Sequence, residues 1–555
     1  VDGMLNILES KNVSGQLFIS MTHQKALQAL RQADYLTPKY HVVIANPPYM
    51  GGKNMNEILS SWLKVNYFDY KLDLYSAFIV RCCGLAMGSG YVGIMSPHTW
   101  MYISSHEKLR IFVAERCSLS TLVELPLTGF SGATVQIAAF TIKVSATESM
   151  IATFFDLTEF KGGDSVMRTR TLDAVKNPNL HYVYKERVEN FEKIPGTPIA
   201  YASGTKLRET FSFEKTIGQI ARPRVGANTT NNDLFLRFWS EISLSKVWFE
   251  AESEPDAERT RRKWFPYNKG GPFRKWSGNY FHVVNFEHNG KTICDYIDAS
   301  GARVGSSGRI INREFYFKPG ITWSDIKTGG FGARLTPKGF VFDVKGSSSF
   351  PSPEDRFNLL GLMSSKLTTR YIDVLNPTVT IQVGDIARIP FKKVSVNAIV
   401  SNLCQLSKSD WDAYETSWDF TSLPLLNPDY HQSTLKATYQ KLRAHWGEMT
   451  LEMQRLEVEN NRVFIEAYGL EDELKPEVPL HEITLTCNPH YRYGNDKSDD
   501  ELETLLLADT MRELVSYAVG CMFGRYALDK PGLILANQGE TIEDYLKQIP
   551  EPSFP

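Results

Sequence analysis

Val42-Val43-Ile44-Ala45-Asn46-Pro47-Pro48-Tyr49 is the stretch on which the reading of this chain turns. Its first four residues are an apolar, largely β-branched run of the kind that forms a buried-type strand. Pro47 and Pro48 cannot donate to a ladder, so the strand must stop there. The Asn46 side chain and the carbonyls after it are left facing outward at the strand's carboxyl end. Open α/β sheets bind their ligands at that end. An amino group on an aromatic base needs two acceptors for its N–H bonds while its lone pair attacks an electrophile. The Asn46 side-chain oxygen and the Pro47 carbonyl are candidates for those acceptors, and the Tyr49 ring for a surface on which an unstacked base rests. Asn-Pro and Pro-Pro are also ordinary turn signals, so the tetrapeptide by itself reads equally well as a strand-ending loop.

The residues that follow narrow the choice. Asp73-Leu74-Tyr75 opens a helical stretch to about Met87, with Leu74, Phe78 and Leu85 on similar faces, and Tyr91 to Pro97 reads as a second strand stopped by proline. A helix over His106 to Cys117, a strand from Thr121 to Leu125, a Gly-rich turn and a β run from Thr134 to Ile142 behind Phe130 complete the pattern. Strands and helices alternating at these lengths build a doubly wound α/β sheet.

With those residues in order, positions 40 to 142 resemble the rear half of the Rossmann-like catalytic domain of gamma-order N6-adenine DNA methyltransferases. The resemblance implies that Asn46 and Pro47, with Pro48 beside them, hold the target amino group, and that Tyr49 and Phe130 sandwich the flipped adenine. It further implies that Phe78 borders the adenine ring of S-adenosylmethionine. Such enzymes carry a Gly-rich, acidic cofactor loop upstream of the Asn-Pro-Pro-Tyr segment. The 45 residues before Asn46 hold no such loop, and the first residue is Val1. The expectation is a piece of a larger protein whose cofactor half lies upstream, so that this stretch alone is inactive.

The length of 555 residues allows roughly three or four domain-sized units. A hydrophobic fraction of 42% and a charged fraction of 22% are ordinary globular values. No run approaches a membrane span, and the first residues carry no signal-peptide pattern. Seven cysteines without a C-x-x-C pair indicate neither a disulfide framework nor a zinc site, and fit a reduced cytoplasm. The absence of a Pro-Cys dipeptide argues against the covalent thiolate mechanism of cytosine C5 methylation. His481 and His490 near Cys487 sit in a Pro-rich, irregular setting and read as loop residues, so no metal is expected.

The net charge of −2 says little, because a nucleic-acid binder can confine its positive charge to one cleft. Arg259, Arg261, Arg262, Lys263, Lys269, Arg274 and Lys275 cluster among Trp264, Phe265, Tyr267, Phe273 and Trp276 around Gly270-Gly271. Cations for phosphates and rings for stacking are what a DNA-facing loop requires. A solvated basic turn, partly neutralised by Glu252, Glu254, Asp256 and Glu258, is the plainer alternative. The segments Trp264 to Gly271, Phe273-Arg274-Lys275-Trp276, Thr322-Trp323-Ser324 and Gly339 to Asp343 are similar to the PglX methyltransferases of bacteriophage-exclusion (BREX) systems. That resemblance implies host-site adenine methylation, with double-stranded DNA, other BREX defence proteins and phage-encoded DNA-mimic inhibitors as partners and no membrane association.

Residues 433 to 463 carry a helical seam of Leu435, Tyr439, Leu442, Trp446, Met449, Met453, Leu456 and Val463, with Asn460 in a core position. Some 30 helical residues span roughly 45 Å. The expected partner is a helix over Glu501 to Arg525 that offers Leu505, Leu514 and Val515. The expected organisation is therefore the rear half of a methyltransferase domain (1–160), a mixed α+β target-recognition region (161–430) and a helical C-terminal domain (431–555). The competing reading is a DNA-recognition and complex-assembly module without catalysis of its own. A methyltransferase acting on RNA or on a protein glutamine is weaker, because the large aromatic-basic insert suits neither.

Overall fold

The computed structural model describes residues 2–11, 17–129, 135–145, 150–299, 310–327 and 329–553. The chain divides into two compact units, residues 1–209 with 374–376 and residues 210–373 with 377–555.

In the first unit, helices α1 (Asp2–Glu9) and α2 (Leu17–Leu36) precede strand β1 (Tyr40–Ala45). Then come α3 (Glu57–Asn66), α4 (Leu74–Leu85), β2 (Ala86–Pro97), α5 (Glu107–Arg116), β3 (Ser118–Glu124), β4 (Ile137–Lys143), β5 (Ile151–Asp156), α6 (Gly163–Lys176) and β6 (Val183–Arg187). The strands form one mixed sheet in the order β1-β2-β4-β3-β5-β6. β1 lies parallel to β2, and β3 parallel to β5, while β4 runs antiparallel between β2 and β3. The helical crossover between β1 and β2 permits the parallel pairing, and the direct return from β3 to β4 permits the antiparallel one. Phe140 of β4 faces Ile94 on one side and Leu122 on the other. These side chains are buried with Val92, Trp100 and Ile142, and they form the core beneath the strand ends.

The elements expected between residues 73 and 142 are present, with ends moved by a few residues. One expectation fails. β1 is not a buried-type strand, because Val42 is 57% and Ile44 81% exposed. It forms one edge of the sheet, and its partner β2 lies on one side only.

The second unit carries short strands β7 (Leu236–Phe238), β8 (Trp264–Asn268), β9 (His282–Asn285), β10 (Gly320–Trp323), β11 (Ala333–Thr336), β12 (Val341–Phe342) and β13 (Ser348–Ser349). They form two sheets, ordered β12-β8-β9-β7 and β11-β10-β13. Thr378 to Val383, a β-like run in the sequence, forms no strand. Thr380 makes a lone bridge to Ile326, and Val383 already begins the helix Val383–Arg388, whose Asp385 carboxylate accepts the Gln382 N–H.

The long helix spans Leu435–Tyr468, opened by the Thr434 hydroxyl on the Ala437 N–H at 3.2 Å and closed at Gly469, whose φ of 70° a side chain resists. Tyr439, Leu442, Trp446, Met453, Leu456 and Asn460 of the expected seam are buried, and Asn460 Nδ2 donates to the Gly361 carbonyl at 3.0 Å. The main packing partner differs from expectation: the long helix packs chiefly on the helix Asn397–Asp412, while the expected helix meets it through Glu503, paired with Arg443 at 2.6 Å. The helix Asp499–Met522 turns Leu502, Leu506 and Tyr517 inward and leaves Val515 exposed, because its apolar stripe lies on a different face from the one anticipated. No helix among the described residues is long and apolar enough to cross a membrane.

Candidate active site and nucleic-acid interface

Past Ala45 the chain leaves the sheet as the double proline requires, and a single carboxylate fixes its course. Asp73, the N-cap of α4, accepts the Met50 N–H at 3.1 Å and the Tyr75 N–H at 3.3 Å through the same oxygen. Burial raises the Asp73 carboxyl pKa, and these backbone donors pull it back. The Leu74 N–H donates to the Met50 carbonyl, and the Gly52 N–H to the Leu72 carbonyl, both at 3.0 Å. The loop after Tyr49 is thereby laced to the start of α4.

Within that frame Pro47 is buried, while Asn46, Pro48 and Tyr49 are exposed. The Tyr49 hydroxyl lies 3.0 Å from Asn46 Oδ1 and 3.4 Å from the Met95 carbonyl. Asn46 Oδ1 has two lone pairs, so one can serve Tyr49 while the other faces outward for an incoming N–H. The Tyr49 ring, 37% exposed, meets Tyr75 edge to face at 6.3 Å. The Tyr75 hydroxyl sits 2.9 Å from His106 Nε2, and Ser76 Oγ 3.2 Å from His106 Nδ1. Burial pushes the His106 pKa down to about 4, so at neutral pH the platform behind Tyr49 is uncharged. Phe78 is 37% exposed on α4 between buried Ala77 and Ile79, a ring presented to solvent as a planar ligand requires. Phe130 lies outside the described residues.

Sequence reasoning missed Glu124. At the end of β3 this buried carboxylate is met by His98 Nδ1 at 2.8 Å, by the Tyr102 and Tyr201 hydroxyls at 3.0 and 2.7 Å, and by Gln136 Nε2 at 3.2 Å. Gln136 also accepts the His98 N–H on its carbonyl at 3.1 Å, so the cluster ties the ends of β2, β3 and β4 together. Its members are scattered from residue 98 to residue 201, and no local spacing announces them.

The basic-aromatic cluster of the second unit separates into two groups. Arg259, Arg261 and Lys263 are exposed and Arg262 is half-buried. Arg259 reaches Asp256 at 3.3 Å, and Arg261 closes the helix Glu254–Thr260 in a left-handed conformation. Beyond them β8 carries the chain inward, with Trp264, Phe265 and Tyr267 buried. Lys269 pairs with the buried Asp343 at 2.9 Å, and Asp343 also accepts the Tyr267 hydroxyl at 2.6 Å.

Arg274 and Lys275 depart from the expected phosphate-binding role. Arg274 donates to Asp410 at 2.7 Å with side-chain exposures of 3% and 0%, and Lys275 pairs with the buried Glu457, which also accepts the Trp276 indole N–H at 2.7 Å. A buried cation whose charge is already matched by a buried carboxylate has none left for a phosphate. The cations are contiguous in sequence, but β8 separates the surface group from the interior group.

Among the described residues no group of three or more His, Cys, Asp or Glu side chains is placed to hold a metal ion.

Residues 8–130 match the family described as Eco57I restriction-modification methylase. Across 570 aligned residues the chain is 33% identical to the adenine-specific methyltransferase PglX of Lacticaseibacillus casei (strain Zhang), covering 99% of this chain and 45% of the relative. It is 31% identical to the adenine-specific methyltransferase BrxX of Escherichia coli O9:H4 (strain HS), covering 92% of this chain and 40% of that one. The chain is thus similar over nearly its whole length to parts of the adenine-specific methyltransferases PglX and BrxX. It spans less than half the length of these two curated relatives. Among solved structures, a nuclease-deletion mutant of the Type ISP restriction-modification enzyme LlaGI in complex with a DNA substrate mimic is similar at 11% identity and a TM-score of 0.45, over 76% of this chain and 39% of that one.

Proposed function

We propose that this chain forms the target-base side of a site-specific adenine-N6 DNA methyltransferase that uses S-adenosylmethionine and works in a BREX-type phage-defence system in the cytoplasm. The observation that carries the reading is the Asn46-to-Tyr49 loop. It places an amide oxygen with a free lone pair beside a partly exposed ring at the carboxyl end of β1, and Asp73 holds it from behind. S-adenosylmethionine supplies the methyl group as a sulfonium electrophile. Asn46 Oδ1 and the Pro47 carbonyl accept the two N6–H bonds, which directs the nitrogen lone pair at the incoming methyl and makes a covalent enzyme intermediate unnecessary. Tyr49 offsets part of the few kcal/mol lost when the adenine leaves its stack. Phe78 fits the face of the cofactor's own adenine, and its exposure is the property that role needs.

In this reading the exposed cations Arg259, Arg261 and Lys263, with the half-buried Arg262 between them, meet backbone phosphates of double-stranded DNA, and the second unit carries target recognition. Other BREX defence proteins and phage-encoded DNA-mimic inhibitors are the further partners proposed. The test is duplex methylation by the whole protein carrying Asn46→Ala. N6-methyladenine is expected to vanish while DNA binding persists, and undiminished methylation ends the assignment.

A further inference from the structure

The second unit contains a half-open cavity of about 960 Å³ that methyl transfer does not use. Its walls are aromatic. Trp418 lies nearly parallel to Tyr280, with ring centres 5.9 Å apart and planes 23° from each other, and Phe340 meets Trp418 at 5.9 Å. Trp418 and Trp248 are only half-buried. The indole nitrogen of Trp248 has no hydrogen-bond partner.

The charges around the cavity are nearly balanced, with one exception. Lys338 is held by Glu250 and Glu252 at 3.0 Å each, and Lys408 by Asp412 and by Asp419, the latter at 3.1 Å. Arg262 also lines the cavity, and among the described residues no acid pairs with its guanidinium. The cavity therefore combines flat apolar walls with one cation that donates in a fork and has no acid partner among the described residues, beside the mutually neutralised pairs of Lys338 and Lys408.

We propose that this cavity binds one nucleoside monophosphate unit, with its base against Trp418 and Trp248 and its phosphate on Arg262. Stacking on indole tolerates any base, because every base presents a π-face. A single phosphate matches the single cation that has no acid partner among the described residues. The unit is either a free nucleotide or an unstacked link of a nucleic-acid strand, and the chemistry of recognition is the same for both.

Calorimetric titration of the chain with deoxyadenosine and thymidine monophosphates, beside the corresponding nucleosides and without methyl donor, tests the site separately from methyl transfer. Both monophosphates are expected to bind, each more tightly than its nucleoside. Arg262→Ala is expected to weaken the monophosphates by about tenfold or more and to bring them level with the nucleosides. Trp418→Leu, with its fold checked by circular dichroism, is expected to weaken both classes. Displacement of bound monophosphate by an intact single strand but not by one with an abasic centre assigns the site to a strand, and displacement by neither assigns it to the free nucleotide. Absence of binding at millimolar nucleotide overturns the proposal. So does a monophosphate preference that survives Arg262→Ala, or binding of an acidic aromatic peptide in place of every nucleotide.

Discussion

Replacing Asp410 by alanine separates an architectural Arg274 from a DNA-contacting one. One carboxylate oxygen of Asp410 accepts from Arg274 Nη2 and from the Thr486 N–H, both at 2.7 Å, and the other accepts the Cys487 N–H at 3.0 Å. With the carboxylate gone, the guanidinium keeps the Ser277 carbonyl at 2.9 Å, the Thr486 hydroxyl at 3.0 Å and the face of Trp411 at 5.0 Å, none of which carries negative charge. Breaking a buried pair by removing one partner costs about 3–5 kcal/mol. Two orphaned backbone donors add about 1–3 kcal/mol each, less whatever water recovers in the vacated space. The expected loss is about 5 kcal/mol, a large share of a domain stability of about 5–15 kcal/mol. Asp410→Leu with Arg274→Met removes both charges and is expected to recover the share due to the unpaired guanidinium, while the Thr486 and Cys487 N–H groups stay without their acceptor. The assay is urea unfolding of the unaltered chain and the two variants followed by tryptophan fluorescence. A shift below about 1 kcal/mol for Asp410→Ala, or a double variant no better than the single one, would falsify the argument. A neutral Arg274 variant that keeps its stability and loses DNA salt dependence would restore the phosphate role.

Other outcomes follow from the same geometry. Neutralising Arg259, Arg261, Arg262 and Lys263 together should leave the fold intact and flatten the salt dependence of duplex binding by roughly 0.9 in slope for each phosphate no longer neutralised, read by fluorescence anisotropy; an unchanged slope places the DNA track elsewhere. Because burial holds the His106 pKa near 4, the unfolded chain takes up a proton below about 6.5 that the folded chain refuses. Stability of the first unit should therefore fall as pH drops from about 6.5 toward 4, by about 3 kcal/mol over the window at about 1.36 kcal/mol per pKa unit. His106→Gln should remove that slope, and a slope that persists would belong to other groups. Asp73→Ala should cost about 1 kcal/mol and speed amide exchange at Met50 and Tyr75, and unaltered exchange would mean the loop is held by something else.

The stretch from β1 to β4 was legible because its information is local, whereas α1, α2, α3, β5, α6 and β6 were not anticipated. Proline stops, β-branched runs and an Asp N-cap act within a few residues, and they located β1, α4, β2, α5 and β3. The exposure of β1 was not legible, since Val42 to Ala45 look the same at a sheet's centre and at its edge. Local composition also could not divide the cations. Arg261 and Arg274 are equally charged, and only the inward course of β8 puts one in water and the other against Asp410. The seam of the long helix was readable from its periodicity, but its partner was not, because three apolar positions on another helix do not reveal which stripe faces inward. Glu124 lay beyond sequence reasoning altogether, as its four donors converge from different elements.

The two interior cations impose an order on synthesis. Arg274 must wait for Asp410, 136 residues later, and Lys275 for Glu457, 182 residues later. At roughly 5–20 residues per second, the ribosome needs on the order of 10 to 35 seconds to deliver the second acid after the lysine has emerged. For that interval Arg274 and Lys275, in the loop between β8 and β9, stay exposed without the acids that neutralise them, so this part of the second unit cannot reach its folded packing. Rare codons between residues 276 and 457 would lengthen that exposure, so the yield of folded chain should depend on the speed at which this one segment is translated.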